Sequence, residues 1–376
     1  MIVTAAPDWS SGAHSIVSVD PVGGPRSARN NLDPAGSDLT VVARDRYFYR
    51  MERSGAHHIA KYDVNAPETP IWQFSTEGEE SGSNPYDLVF VDDEKAYLLR
   101  YGSETAWIVD PSAAGASAFQ TGELDLSGYS DGDGKPEMAA GVIAQGRLFV
   151  ILQRLDTSGG WGNYTYNTPY VAVFDTTTDA EIDTAGCGCD LKGIPIDGVF
   201  NLLTIQYLAE TGMIYVQGVG NWDGADGIAS GGIVRIDPAT YETDVILSDA
   251  ADYGAVAGMA VVSGTKGYFV GYAGWGDNSL YAFDVSCGCD VRKVEGFENI
   301  SISGMQSGVY TDKNDMLWIC NQTTASVDIL NTATDAVDES VPTGLNPNKV
   351  VFCAEGAVDE KDHDHDGGSC FIATLR

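Results

Sequence analysis

One phrase occurs seven times along this chain, and it limits the fold more than any other feature. Alternating apolar residues run into an Asp or Asn, and a turn rich in Pro, Thr, Ser and Ala follows. The phrase reads SIVSVDP at 15–21, IAKYDVNAPE at 59–68, AWIVDPSAA at 106–114 and VAVFDTTTDA at 171–180. It returns as IVRIDPAT at 233–240, LYAFDVS at 280–286 and VDILNTATDA at 327–336. The closing residue falls at 20, 63, 110, 175, 237, 284 and 331, at intervals of 43 to 65 residues. Period-2 alternation is the mark of a half-buried strand, and a repeat of about 40–50 residues is the size of a propeller blade. Two further alternating runs precede most copies, as in DLVFVDD then KAYLLRYG, and a shorter edge segment such as TDVILSD follows. Each unit therefore reads as four antiparallel strands, a to d from the centre outward.

The two ends complete this pattern. LNPNKVVFC at 345–353 reads as a strand a with no b, c or d after it. IVTAA, HSIVSVD and residues 25–32 supply the missing b, c and d at the start of the chain. The expectation is an all-β, seven-bladed β-propeller over 1–353, its ring closed by pairing of N- and C-terminal segments, which removes an open sheet edge at the first blade. An acidic, His/Asp-rich tail follows at 354–376. A closed ring is one of the few ways that 376 residues form a single unit, and 44 glycines suit many tight turns.

The repeat, a strand ending in Asp before a Thr-containing turn, resembles the YVTN family of bacterial surface propellers. That resemblance implies the fold and an extracytoplasmic setting, and it implies little about chemistry. The final GGSCFIAT resembles a Gly-rich CFIATA motif at the C-termini of some bacterial surface proteins, implying processing or surface anchoring at Cys370. An apolar FIAT segment could instead pair with a sheet edge.

In such blades the d–a and b–c connections open on one face. The unusual residues collect there. The b–c connections carry Trp9, Trp161, Trp222 and Trp275, together with His14, His57 and His58. The tryptophans suit a platform for a protein or carbohydrate partner, or simply shield the blade tops. The d–a connection into blade 4, LSGYSDGDGKPE, spaces Asp131, Asp133 and Glu137 with glycines, so several oxygens can turn toward a hard cation such as Ca²⁺. NWDGADG offers a weaker set in Asn221, Asp223 and Asp226. In the tail, Asp362, Asp364 and Asp366 alternate with His363 and His365, which suits Ca²⁺ or a transition metal.

The charge narrows the partners. With 54 acidic against 21 basic residues the net charge is −33, which repels nucleic acid and anionic lipid and favours cations or a basic protein. No apolar run reaches transmembrane length. Of the seven cysteines, four form two CGCD units, Cys187/Cys189 and Cys287/Cys289, each expected as a local disulfide in an oxidising compartment. Cys320 and Cys353 read as buried small apolar residues. The leading expectation is a non-enzymatic, extracytoplasmic propeller binding a divalent cation and a partner through its loop face. The alternative is a metal-dependent hydrolase or lactonase at the channel mouth, with Asp38, Asp87, Glu137, Asn201 and Asn348 as candidate ligands.

Overall fold

A computed structural model describes residues 1–354 apart from 80, 161, 187, 189, 222–229, 275 and 303–305. Seven four-stranded antiparallel sheets follow one another around a central axis. Blade 1 joins strand a at Asn346–Val350 to strands b, c and d at Ile2–Ala5, Gly12–Val17 and Ala28–Ala35. Its inner pair runs antiparallel, with Ile2 opposite Val350 and Val3 opposite Lys349. Blades 2 to 7 begin their inner strands at Leu39, Pro85, Met138, Leu202, Ala255 and Val309. The expected ring, blade count and closure are all present. Helix amounts to little more than one α-turn at Ala116–Phe119 and a 3-10 turn at Ser127–Tyr129 among the described residues, and none there is long and apolar enough to cross a membrane.

The repeated Asp or Asn has a local cause. Its side-chain carbonyl oxygen accepts the backbone N–H two residues on, which folds the c–d turn back on itself. Asp63 accepts from Asn65, Asp110 from Ser112, Asp175 from Thr177, Asp237 from Ala239, Asp284 from Ser286 and Asn331 from Ala333. Asp20 differs: it meets Asn314 and Lys313 of blade 7 instead. The recurrent phrase is thus a strand plus its own turn cap.

Packing between blades, rather than within them, builds the core. Seven apolar clusters occupy the seven interfaces. Blade 1 meets blade 7 through Ile2, Val17 and Val350 against Met316 and Trp318, and meets blade 2 through Val3 against Leu39, Val41 and Phe48. Small residues let inner strands approach: a side chain on Gly258 would collide with the Ser307 carbonyl of the next blade. On the face of the c–d turns, polar clasps add to this. Lys95, immediately before strand b of blade 3, reaches Asp179 of blade 4 at 2.7 Å, where the Tyr97 hydroxyl also donates. Lys266 and Tyr268 of blade 6 hold Asp335 of blade 7 in the same way.

His14 corrects the sequence reading. It is not a loop residue of the working face but lies in strand c of blade 1, fully buried. Nε2–H donates to the Pro67 carbonyl at 2.8 Å, and Nδ1 accepts from Arg50 at 2.9 Å. Burial first, and the Arg50 guanidinium second, hold its pKa down at about 4. A histidine depressed on folding contributes stability above its unfolded pKa, near 6.5, and loses it as pH falls through 4. On the order of 3 kcal/mol of acid sensitivity is expected from this one ring. Urea unfolding of wild type and His14→Gln at pH 7 and pH 4 checks it. The variant should show a shallower fall, and equal slopes would refute the assignment.

Candidate metal centre

The d–a connection into blade 4 must cross from the outer edge of blade 3 to the axis, and it does so on the expected face. Its last residue, Glu137, takes φ 50°, a left-handed conformation. The residue before strand a takes positive φ in several blades, where Asn84, Asn201 and Gly254 occupy it. Asn and Gly tolerate that conformation; glutamate does so at a cost. The side chain, rather than the backbone, is therefore the reason for a glutamate here.

That side chain is buried, with the residue 1% exposed, and turns toward Asp131 and Asp133. One oxygen from each carboxylate lies within 4.8 Å of the others. Ligands at the usual Ca²⁺–O length stand at most about 5 Å apart across the ion, so one cation can reach all three. The three form the one such cluster of ligating side chains among the described residues. The remaining oxygens are held by donors that fix the loop. Glu137 Oε2 accepts from the Leu155 N–H at 3.0 Å, and Asp133 Oδ2 from the backbone and hydroxyl of Thr157 at 3.1 and 2.6 Å. Asp131 Oδ2 accepts from Asn167 Nδ2 at 2.9 Å.

Two oxygens are left over. Glu137 Oε1 and Asp133 Oδ1 are buried and accept from no group among the described residues. A buried acceptor without a donor costs about 1–3 kcal/mol, more for a charged group. Without a cation the site relieves this by holding a proton. Burial, reinforced by Asp133 and Asp131, pushes the Glu137 pKa up to about 9, and burial also raises that of Asp131.

The supporting residues come from the b–c connection of blade 4, which forms a small hairpin pairing Leu155–Asp156 with Thr165–Tyr166. Sequence reading missed Thr157, Asn167 and Asp156, whose carboxylate abuts Gly132. The signal available was only that both connections open on one face. A cavity of about 290 Å³ adjoins the carboxylates, walled by Ser54, His57, Asn84, Tyr101 and Lys135. His57 accepts the Asn84 N–H on Nδ1 at 3.1 Å and faces Glu77 at 3.6 Å through Nε2. His58 begins a strand and pairs with Glu52 at 3.2 Å.

Other candidate residues separate. Trp9 stands 47% exposed on the loop face. Trp161, Trp222, Trp275, Asp223, Asp226, Cys187, Cys189 and the tail with Asp362, Asp364, Asp366 and Cys370 lie outside the described residues. Asn221 keeps a buried Oδ1 with no hydrogen-bond partner among the described residues. Cys287 and Cys289 are bonded to each other, while Cys320 is free and buried and Cys353 free and partly buried. The channel-mouth set does not converge. Asp38 binds Arg53 and the Ser54 N–H, Asp87 accepts from Leu88 and Gly141, Asn201 donates to Gly220, and Asn348 accepts from Gln322. The channel itself, about 460 Å³, is walled by inner strands of all seven blades.

No family model and no curated protein matches the chain. Solved structures match in fold. Hydrazine synthase from Kuenenia stuttgartiensis aligns over 83% of this chain and 88% of its own, at TM-score 0.59 and 14% identity. A Bacteroides fragilis protein described as a 6-phosphogluconolactonase aligns over 92% and 95%, at 0.57 and 10%. A streptogramin B lyase aligns over 85% and 90%, at 0.55 and 12%. At such identities the likeness carries the propeller fold alone.

Proposed function

We propose that this propeller is a non-enzymatic, extracytoplasmic binding protein that holds a hard divalent cation, Ca²⁺ foremost, on Asp131, Asp133 and Glu137. The observation that carries the reading is the pair of orphaned buried oxygens, Glu137 Oε1 and Asp133 Oδ1, within one carboxylate cluster. An all-oxygen donor set selects Ca²⁺ or Mg²⁺ over softer metals, and a glycine-spaced loop suits the looser coordination of Ca²⁺. Three carboxylates with open positions for water match the affinity of extracellular Ca²⁺ modules, about 10⁻⁴–10⁻³ M. The net charge of −33 raises the local cation concentration.

The cation gathers the carboxylates of the d–a connection, which hydrogen bonds from Leu155, Thr157 and Asn167 already join to the b–c hairpin of blade 4, and so fixes the loop face against which a protein or carbohydrate partner docks, with Trp9 as one anchor. An extracytoplasmic setting suits both millimolar Ca²⁺ and the Cys287–Cys289 bond. The propeller-channel hydrolase reading gains nothing from Asp38, Asp87, Asn201 and Asn348, whose polar groups are engaged apart from one another.

Metal analysis after dialysis against a chelator and then Ca²⁺ tests the reading. One ion per chain is expected, with a melting temperature raised by about 3 °C at about one hundred times Kd. Asp131→Ala with Asp133→Ala should abolish both. A metal-free protein whose melting ignores Ca²⁺ would sink the proposal.

A further inference from the structure

A second feature lies on the opposite face and has no connection with the cation. Cys287 and Cys289 are bonded across a single glycine in the c–d turn of blade 6, and both residues are exposed.

The bond is not needed to shape the turn. The turn is already capped by Asp284, which accepts from the Ser286 N–H at 2.8 Å and its hydroxyl at 2.6 Å. The same cap closes the turns at Asp63, Asp110, Asp237 and Asn331, and none of those turns contains a cysteine. Strand pairing continues past it, with Asp284 opposite Cys289 and Tyr281 opposite Lys293. Gly288 sits so close to the Ile246 carbonyl of blade 5 that no side chain fits. The loop is thus anchored by backbone packing as well.

Nor does the bond stabilise by closing a long loop. Closure entropy grows with the number of residues enclosed, and one intervening residue is near the minimum. A disulfide that contributes little to folding yet exposes both residues is of the labile, exchanging kind rather than the structural kind.

We infer that Cys287 and Cys289 form an exchangeable dithiol/disulfide couple, reduced by small thiols or by the dithiol of a partner protein while the propeller stays folded. An incoming thiolate attacks one sulfur, forming a mixed disulfide and releasing the other as a thiolate. A second external thiol then attacks the mixed bond. Two electrons and two protons are gained by Cys287 and Cys289, and the donor leaves as its own disulfide. The CGCD sequence recurs at 187–190, where Cys187 and Cys189 lie outside the described residues.

The test uses the full chain under native conditions. Protein is incubated with reduced glutathione in one arm and dithiothreitol in the other, acid-quenched, alkylated, and read by mass spectrometry of the peptide carrying 287–289. Buried Cys320, whose pKa is raised by burial, serves as an internal marker of unfolding. The expected result is alkylation of Cys287 and Cys289 but not Cys320, an unchanged melting temperature, and full reversal by oxidised glutathione. Reaction with dithiothreitol alone would assign the couple to dithiol partners, and reaction with both would assign it to thiols at large. Cys287→Ser with Cys289→Ser should melt with the wild type. A bond that opens only together with Cys320 labelling, or a variant or reduced form that melts much lower, would overturn the inference.

Discussion

A chain ending at residue 344 is expected to lose cooperative unfolding and to be digested by protease at rates set by the unfolded state. Of the described strands the loss removes only strand a of blade 1, Asn346–Val350, but its consequences reach both neighbours. Ile2–Ala5 would lose its inner partner and present an open edge. Two of the seven interfaces would lose members. Val350 packs with Trp318 and Ile329 on one side, and Val351 flanks Val3 and Val41 on the other. Ring closure converts seven marginal blades into one cooperative unit, so the deficit should exceed the whole stability of an ordinary domain, about 5–15 kcal/mol. Urea unfolding followed by circular dichroism checks it. A sharp transition close to that of the intact chain would show that the ring does not depend on its closing strand.

The second large effect concerns Glu137. Glu137→Gln keeps the size and the acceptor toward the Leu155 N–H but removes the charge. Calorimetric titration should show Ca²⁺ affinity falling beyond detection, since a site near about 10⁻⁴–10⁻³ M has little to lose. Stability without metal should move the other way. The Glu137 pKa is raised from 4.5 to about 9 in the folded protein. Its favourable contribution is therefore complete below 4.5 and is lost as pH rises toward 9. At pH 8 without metal, the Gln variant should be the more stable protein. At saturating Ca²⁺ the wild type should overtake it. That reversal separates a cation ligand from a glutamate kept for packing, because packing alone predicts the same order in both conditions.

Much of this architecture is legible in the chain because its signals are local. Strand alternation and the Asp-capped turn both act within about ten residues, so blade number, closure and the face of each connection follow from spacing. The triad Asp131, Asp133 and Glu137 is legible for the same reason, being held within one glycine-spaced loop. What completes it is not. Asn167, Thr157 and the Leu155 N–H arrive from a hairpin whose fold depends on the loop it supports. His14 shows the same limit. Its neighbours Ser10, Ser11 and Gly12 suggest a loop, while its environment is set by Arg50 and Pro67, 36 and 53 residues away. The channel-mouth residues Asp38, Asp87, Asn201 and Asn348 sit on different blades, and each is engaged by a nearer partner.

Whether Asp131, Asp133 and Glu137 share one cation can be seen by anomalous diffraction from crystals grown with Mn²⁺ in place of Ca²⁺. A single strong peak is expected, bonded to one oxygen of each carboxylate, Glu137 Oε1 and Asp133 Oδ1 among them. Well-ordered carboxylates with no peak between them, in crystals that carry Mn²⁺ elsewhere, would contradict it.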